Sequence, residues 1–267
     1  MKKIRLVIML AATVMLLGCS NSDNGDGSNP QPTPIDKSAN LLGTGDSASD
    51  FLSNENFNNL HVEIGYVRGF RPTSEAMDNF VTFLRDRTFK QDIQISYLEL
   101  DSPNENDLTL QEIADLEEEN RTAYNDGETL AVYIYFADAP DEDDDPDEGL
   151  VTLGAVYRNT SMVIFAQTVR DLASRSALLT VSDIQSATLN HEFGHLLGLV
   201  DLGTPEINDH EDPDAANHCI VEGCLMRAEL EFGMGMVSML ESKAAKGQAV
   251  IPLDAECIRD LQSNGGR

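Results

Sequence analysis

From residue 59 onward the apolar positions follow two periods. HVEIGYV (61–67) and DIQISYLEL (92–100) alternate as half-buried strands do. Between them, TSEAMDNFVTFLRDR places Ala76, Met77, Phe80, Val81 and Leu84 on one helical stripe, with Thr73 or Ser74 positioned to cap it. TLQEIADLEEENR opens with a Thr109 to Glu112 capping box and predicts a second helix. TLAVYIYFA (129–137) is apolar on both faces, which predicts a buried central strand. GLVTLGAVYR and SMVIFAQTV predict two further strands joined by a tight turn at Asn159 and Thr160. IQSATLNHEFGHLLGL then carries an apolar helical stripe behind a capping box at Ser182 and Gln185, and PLDAECIRDLQ predicts an amphipathic C-terminal helix. This order of elements predicts an α/β (α+β) domain, a twisted mixed sheet of five strands with helices packed on it.

The start of the chain follows neither period. Lys2, Lys3 and Arg5 precede an apolar run from Leu6 to Leu17, which predicts a secretory signal peptide over 1–18 whose core is too short to span a bilayer. The LLGC that ends it resembles the lipobox of bacterial lipoproteins. That resemblance implies lipidation of Cys19, export, and a membrane anchor at the outer membrane or cell surface, with several acyl chains supplying the hold that one chain does not. Residues 20–40 are rich in Ser, Asn, Asp, Gly and Pro, so 19–58 is expected to be the lipidated cysteine and a flexible tether, and 59–267 a single domain.

Composition narrows the partners. Residues 1–18 hold three basic and no acidic groups, so the remainder carries 46 acidic against 15 basic residues, a net charge of −31. Such a surface repels phosphate backbones and excludes nucleic acid as a partner. DAPDEDDDPDEG (138–149) is dense enough in carboxylates to consider calcium, but it lacks the ligand pattern of an EF-hand loop and is expected to be a solvated acidic loop.

The chemistry lies in NHEFGHLLGLVDLG (190–203). His191 and His195 stand four apart on the predicted helix, so both imidazoles leave the same face, the separation needed to share one zinc ion. Glu192, beside the first histidine, is placed to act as general base and then acid on a metal-activated water. By chance this HExxH pattern arises on the order of 0.01 times in such a chain, so two helix histidines packed without a metal are disfavoured. Gly198 offers an easy helix end, after which the chain can turn back with a third ligand.

HExxHxxG resembles the metzincin family of zinc endopeptidases, with His191, Glu192, His195 and Gly198 in register and Asp201 at the third-ligand position. The later HCIVEGCLM, H-C-x4-C-x-M, resembles the archaemetzincin pattern, which implies His218 as third ligand and Met226 as the methionine turn. Lipoprotein metalloproteases of the Bacteroidetes type also resemble this chain in the GTP at 203–205 and in the HC and CLM ending, which favours a histidine. Three candidates therefore stand for the third ligand: His218, His210 and Asp201. Archaemetzincins bind a second zinc through four cysteines, whereas this chain has only Cys219, Cys224 and Cys257 after Cys19. In an exported protein a Cys219 to Cys224 disulfide is the expectation, with Cys257 left over as a buried thiol. Astacin-like propeptides that block zinc with an aspartate suggest Asp46, although a plain linker is favoured there.

The resemblance implies a metzincin-like zincin fold, with an active-site helix under the sheet and a small C-terminal subdomain. It further implies an antiparallel edge strand at LGAVYR (153–158) that binds extended peptide, one catalytic zinc, and hydrolysis of peptide bonds in proteins or peptides. A tyrosine helper after the methionine turn is absent, since no Tyr follows Tyr157. Two rival readings are a non-catalytic surface-binding lipoprotein on the same fold, against which the intact Glu192 argues, and a glutamate-ligand peptidase using Glu211 or Glu222, against which Gly198 and Met226 argue.

Overall fold

The computed structural model describes residues 35–147, 149–231, 233–246 and 250–267. The expected signal peptide, Cys19 and the first part of the expected tether lie outside the described residues. A short 3-10 turn at Ser38–Asn40 leads to helix α1 (Ala48–Leu52), β1 (Asn59–Val67), α2 (Ser74–Arg87), β2 (Asp92–Leu100) and α3 (Leu110–Asn120). Then come β3 (Thr129–Ala137), β4 (Gly154–Arg158), β5 (Ser161–Phe165), α4 (Ala166–Arg175) and α5 (Val181–Leu196). A small hairpin of β6 (Glu211–Asp212) and β7 (Ala215–Cys219) precedes α6 (Gly233–Ala244) and α7 (Ala255–Ser263).

The strand order is β2-β1-β3-β5-β4. Three pairings are parallel, and only β4 runs antiparallel, against β5. The expected five-stranded mixed sheet is therefore present, with β3 in the middle. Its apolar run serves both faces through the period-2 alternation of a strand: Leu130, Val132, Ile134 and Phe136 enter the larger core, which α2, α4 and α5 cover. Tyr133, Tyr135 and Ala137 enter the smaller core, with Ile113 of α3.

Three expectations need correction. SMVIFAQTV is a strand only as far as Phe165, because β3 ends at Ala137, the partner of Phe165, and the chain beyond has nothing to pair with; Ala166 starts α4. Helix α5 is capped by Thr180 with Asp183, not by Ser182 with Gln185. Gln185 instead accepts a hydrogen bond from Thr73 N at 3.0 Å, and Ser182 donates to Thr73 Oγ1 at 2.9 Å, which ties the start of α5 to the cap of α2. Every residue of α5 from Ile184 to Leu196 is buried, so it is a core helix and not a striped surface one.

The expected tether over 19–58 is also too long. Ile35–Arg267 forms one compact unit, and Phe51 and Leu52 are fully buried in its core. The segment is strapped over the turn between β4 and β5. Asn40 Nδ2 donates to Thr160 Oγ1 and to Ala131 O, and Leu42 N donates to Asn159 Oδ1. Buried amide side chains satisfied in this way act as a clasp, because breaking one leaves its partner orphaned. Phe51 then makes an edge-to-face contact with Phe193 of α5, ring centroids 5.1 Å apart. Phe51→Ala is expected to destabilise the fold by about 3–5 kcal/mol in denaturant unfolding, a cost that no residue of a free tether would carry.

Candidate functional site

Helix α5 holds its histidines by what lies behind them. Phe193, within the motif, points into the core and is gripped edge-on by Phe51 and by Phe80 of α2, the latter at 5.2 Å. With that face fixed, the opposite one presents His191 and His195. A β-carbon on Gly194 would stand 2.3 Å from Met226 Sδ, so the glycine is what lets the buried methionine pack directly beneath the two histidines.

The structure brings His218 to this pair. The ligating nitrogens of His191, His195 and His218 lie within 4.8 Å of one another, and Nε2 of His195 is 3.2 Å from Nε2 of His191. His191 and His218 stack with ring centroids 5.4 Å apart. Their tautomers follow from their partners. His191 Nδ1 donates to Leu225 O at 2.7 Å, and His218 Nδ1 donates to Ala216 O at 2.9 Å, so each neutral ring turns a bare Nε2 lone pair inward. No described protein donor meets His218 Nε2. A ring proton can bridge His195 and His191, whereas His218 Nε2 has no donor, and three imidazole nitrogens converging in a buried cleft are a donor set that fits zinc. Burial, and then the neighbouring imidazoles, push His195 well below its usual pKa; burial followed by His218 holds His191 at about 4. Both favour the neutral form that a metal needs.

Glu192 is 2% exposed and its Oε1 has no hydrogen-bond partner. Burial, with the charge of Glu231 second, raises its pKa well above the usual carboxylate range. It fits beside β4 because Gly154 has no side chain: a β-carbon there would come 2.7 Å from Glu192 Cγ. The cleft in front of these groups is bordered by Ala155 and Val156 of the edge strand, by Leu110, and by Thr44 of the N-terminal strap. Glu231, which sequence reasoning missed, also faces the cleft, with Oε2 3.2 Å from His218 Nε2. Burial lowers the His218 pKa, but Glu231 and the Ala216 carbonyl outweigh it, so the net direction is upward.

The other two candidates for third ligand go elsewhere. Asp201 is exposed, in left-handed backbone with φ of 59°, and joins no group of converging donors. His210 lies in a separate group with Glu206 and Asp260, its Nδ1 2.9 Å from Glu206 Oε1. Asp46 does not join the three histidines either; it is exposed and accepts from Gly43 N. Among the described residues no carboxylate of the 138–149 loop belongs to a group of converging donors, so the calcium idea gains no geometry. Glu211 and Glu222 do not join the three histidines either.

The expected disulfide is corrected: Cys219, Cys224 and Cys257 are free and buried. Their sulfurs and an Asp254 oxygen lie within 4.8 Å of one another, with Cys224 Sγ 3.7 Å from Cys257 Sγ. Cys257 is therefore not left over. Backbone N–H groups of Val221 and Met226 point at Cys219 Sγ and Cys224 Sγ. Hydrogen bonds from the other two thiols bring Cys219 down to about 4, while Cys224 and Cys257 are pushed up, so the group shares its deprotonation unequally. Three sulfurs and a carboxylate form a closed donor set of the kind that holds a structural zinc. The signal in the sequence was the Cys219, Cys224 and Cys257 set itself; the missing fourth donor was a side chain capping α7.

No protein-family model and no curated protein matches the chain. Among solved structures, the chain is similar to an archaemetzincin from Methanopyrus kandleri, with 15% identity and a TM-score of 0.48 over 78% of this chain and 96% of that one. It is also similar to a zinc-dependent peptidase from Methanocorpusculum labreanum, with 12% identity and a TM-score of 0.42 over 75% of this chain and 99% of that one.

Proposed function

We propose that the chain is a zinc-dependent metallopeptidase, an endopeptidase held at the bacterial cell surface by a lipid on Cys19. One observation carries the catalytic part: three imidazole nitrogens converge beside a buried carboxylate with an unpartnered oxygen at the wall of a cleft. His191, His195 and His218 would hold the ion. Bound there, zinc supplies a Lewis acid that polarises a scissile carbonyl and lowers the pKa of water.

The protein's own groups supply the rest. Glu192 accepts the proton of the attacking water and delivers it to the leaving amine, and its burial raises its pKa, which makes it a stronger base than an exposed carboxylate. Edge strand β4 offers an extended peptide its unpaired main-chain groups, and Ala155 and Val156 place that peptide along the cleft. The sulfur group with Asp254 would hold a second, structural zinc that stiffens the loop carrying His218 and Met226. The signal peptide and the lipobox resemblance support export and anchoring, and the acidic surface supports a protein or peptide substrate over nucleic acid.

Casein hydrolysis is expected to stop on chelation and return with zinc. Glu192→Gln should lower turnover by roughly 10²–10⁴-fold while zinc remains bound, as for loss of a general base; unchanged turnover would remove the assigned role. His218→Ala should weaken binding at the catalytic ion by more than the roughly 10–100-fold typical of losing an outer hydrogen-bond partner, and His210→Ala should leave that affinity unchanged. Zinc titration against a chelating chromophore reads both.

A further inference from the structure

Glu231 lies outside the motif, and its backbone is firmly placed. Its N–H donates to Ala228 O, its carbonyl accepts from Leu153 N, and Gly233 N donates to Val151 O. These bonds pin Glu231 and Gly233 against the chain just before β4, and the Glu231 carboxylate faces the cleft. Among the described residues no lysine or arginine lines that cleft. Oε2 instead stops 3.2 Å from His218 Nε2, a nitrogen whose ring has already given its Nδ1 proton to Ala216 O. On a neutral ring both atoms are acceptors, and two acceptors at that separation need a cation between them. A proton can serve, as an imidazolium paired with the carboxylate. A zinc ion can also serve: ligands about 2.0–2.1 Å from a tetrahedral zinc stand roughly 3.3–3.4 Å from each other. The 3.2 Å from Glu231 to His218 equals the 3.2 Å from His191 to His195.

We infer that Glu231 is a removable fourth ligand which closes the open coordination position of the resting enzyme, so that substrate must displace it. This rests on the metallopeptidase reading above. The Glu231 oxygen does not belong to the trio of nitrogens within 4.8 Å of one another; it stands at the His218 corner and reaches the ion by rotation of its own side chain. That side chain is 31% exposed, whereas its histidine partner is 9% exposed, so the carboxylate has room to swing away and the imidazole does not.

The test uses the full chain and its E231Q, E231A and E192Q variants, with zinc affinity read by competition with a chelating chromophore and an open position read by acetohydroxamate binding to the zinc-loaded protein. Losing one ligand and freeing its position have opposite signs. E231Q and E231A are expected to bind zinc roughly tenfold or more weakly, yet to bind acetohydroxamate several-fold more tightly because no internal carboxylate competes. E192Q should keep the wild-type zinc affinity. Unchanged zinc affinity in both Glu231 variants overturns the inference, and so does a joint fall in zinc and acetohydroxamate affinity, which a merely structural residue would produce. A wild-type protein that takes up no stoichiometric zinc defeats the metallopeptidase reading as well, whereas zinc-loaded wild type with unaltered Glu231 variants defeats this inference alone.

Discussion

Leu225 O and Ala216 O each accept an imidazole Nδ1 proton, at 2.7 and 2.9 Å, and so turn the Nε2 lone pairs of His191 and His218 into a buried space. Such an arrangement is costly for a protein without a cation to share, because each bare acceptor has lost water and gained no donor. Much of the surrounding structure supports this single placement. The rings of Phe51 and Phe80 fix the back of α5, Met226 supports it beneath Gly194, and the glycine of β4 leaves room for Glu192. The strap over the β4–β5 turn holds the cleft wall.

The parts of this arrangement that are local in sequence were legible there. The period-2 and helical patterns gave all five sheet strands, the α2 stripe and the capping box of α3, since each depends on neighbours a few residues away. The motif histidines were legible for the same reason: a spacing of four fixes their common face. The cap of α5 was misplaced because Ser182 and Gln185 match the capping pattern, yet tertiary contacts recruit both to Thr73. The change from β5 to α4 was invisible because an apolar run does not reveal where its partner strand ends.

Non-local chemistry was harder to see. His218 had to be drawn from three candidates because the 22 intervening residues leave the helix, and only the paired β6 and β7 bring the ring back. Asp201 matched a pattern, but left-handed backbone at Val200 and Asp201 accompanies an exposed side chain. Glu231 had no motif at all; its place depends on backbone bonds to residues about 80 positions earlier. Asp254 completes the sulfur group as a helix cap, and nothing in a cysteine count announces a carboxylate.

His218 and Cys219 are adjacent, and so are Cys224 and the Leu225 whose carbonyl orients His191. Each dipeptide has one foot in the sulfur group and one in the imidazole group, and Cys219 N donates to Met226 O to bind the two dipeptides together. Mechanically this is a shared hinge plate, in which neither set of donors can rearrange while the other stays put. An oxidant that attacked the thiols would be felt at the three imidazoles without ever reaching them, and the redox state of the surroundings would thereby set how long those rings stay poised.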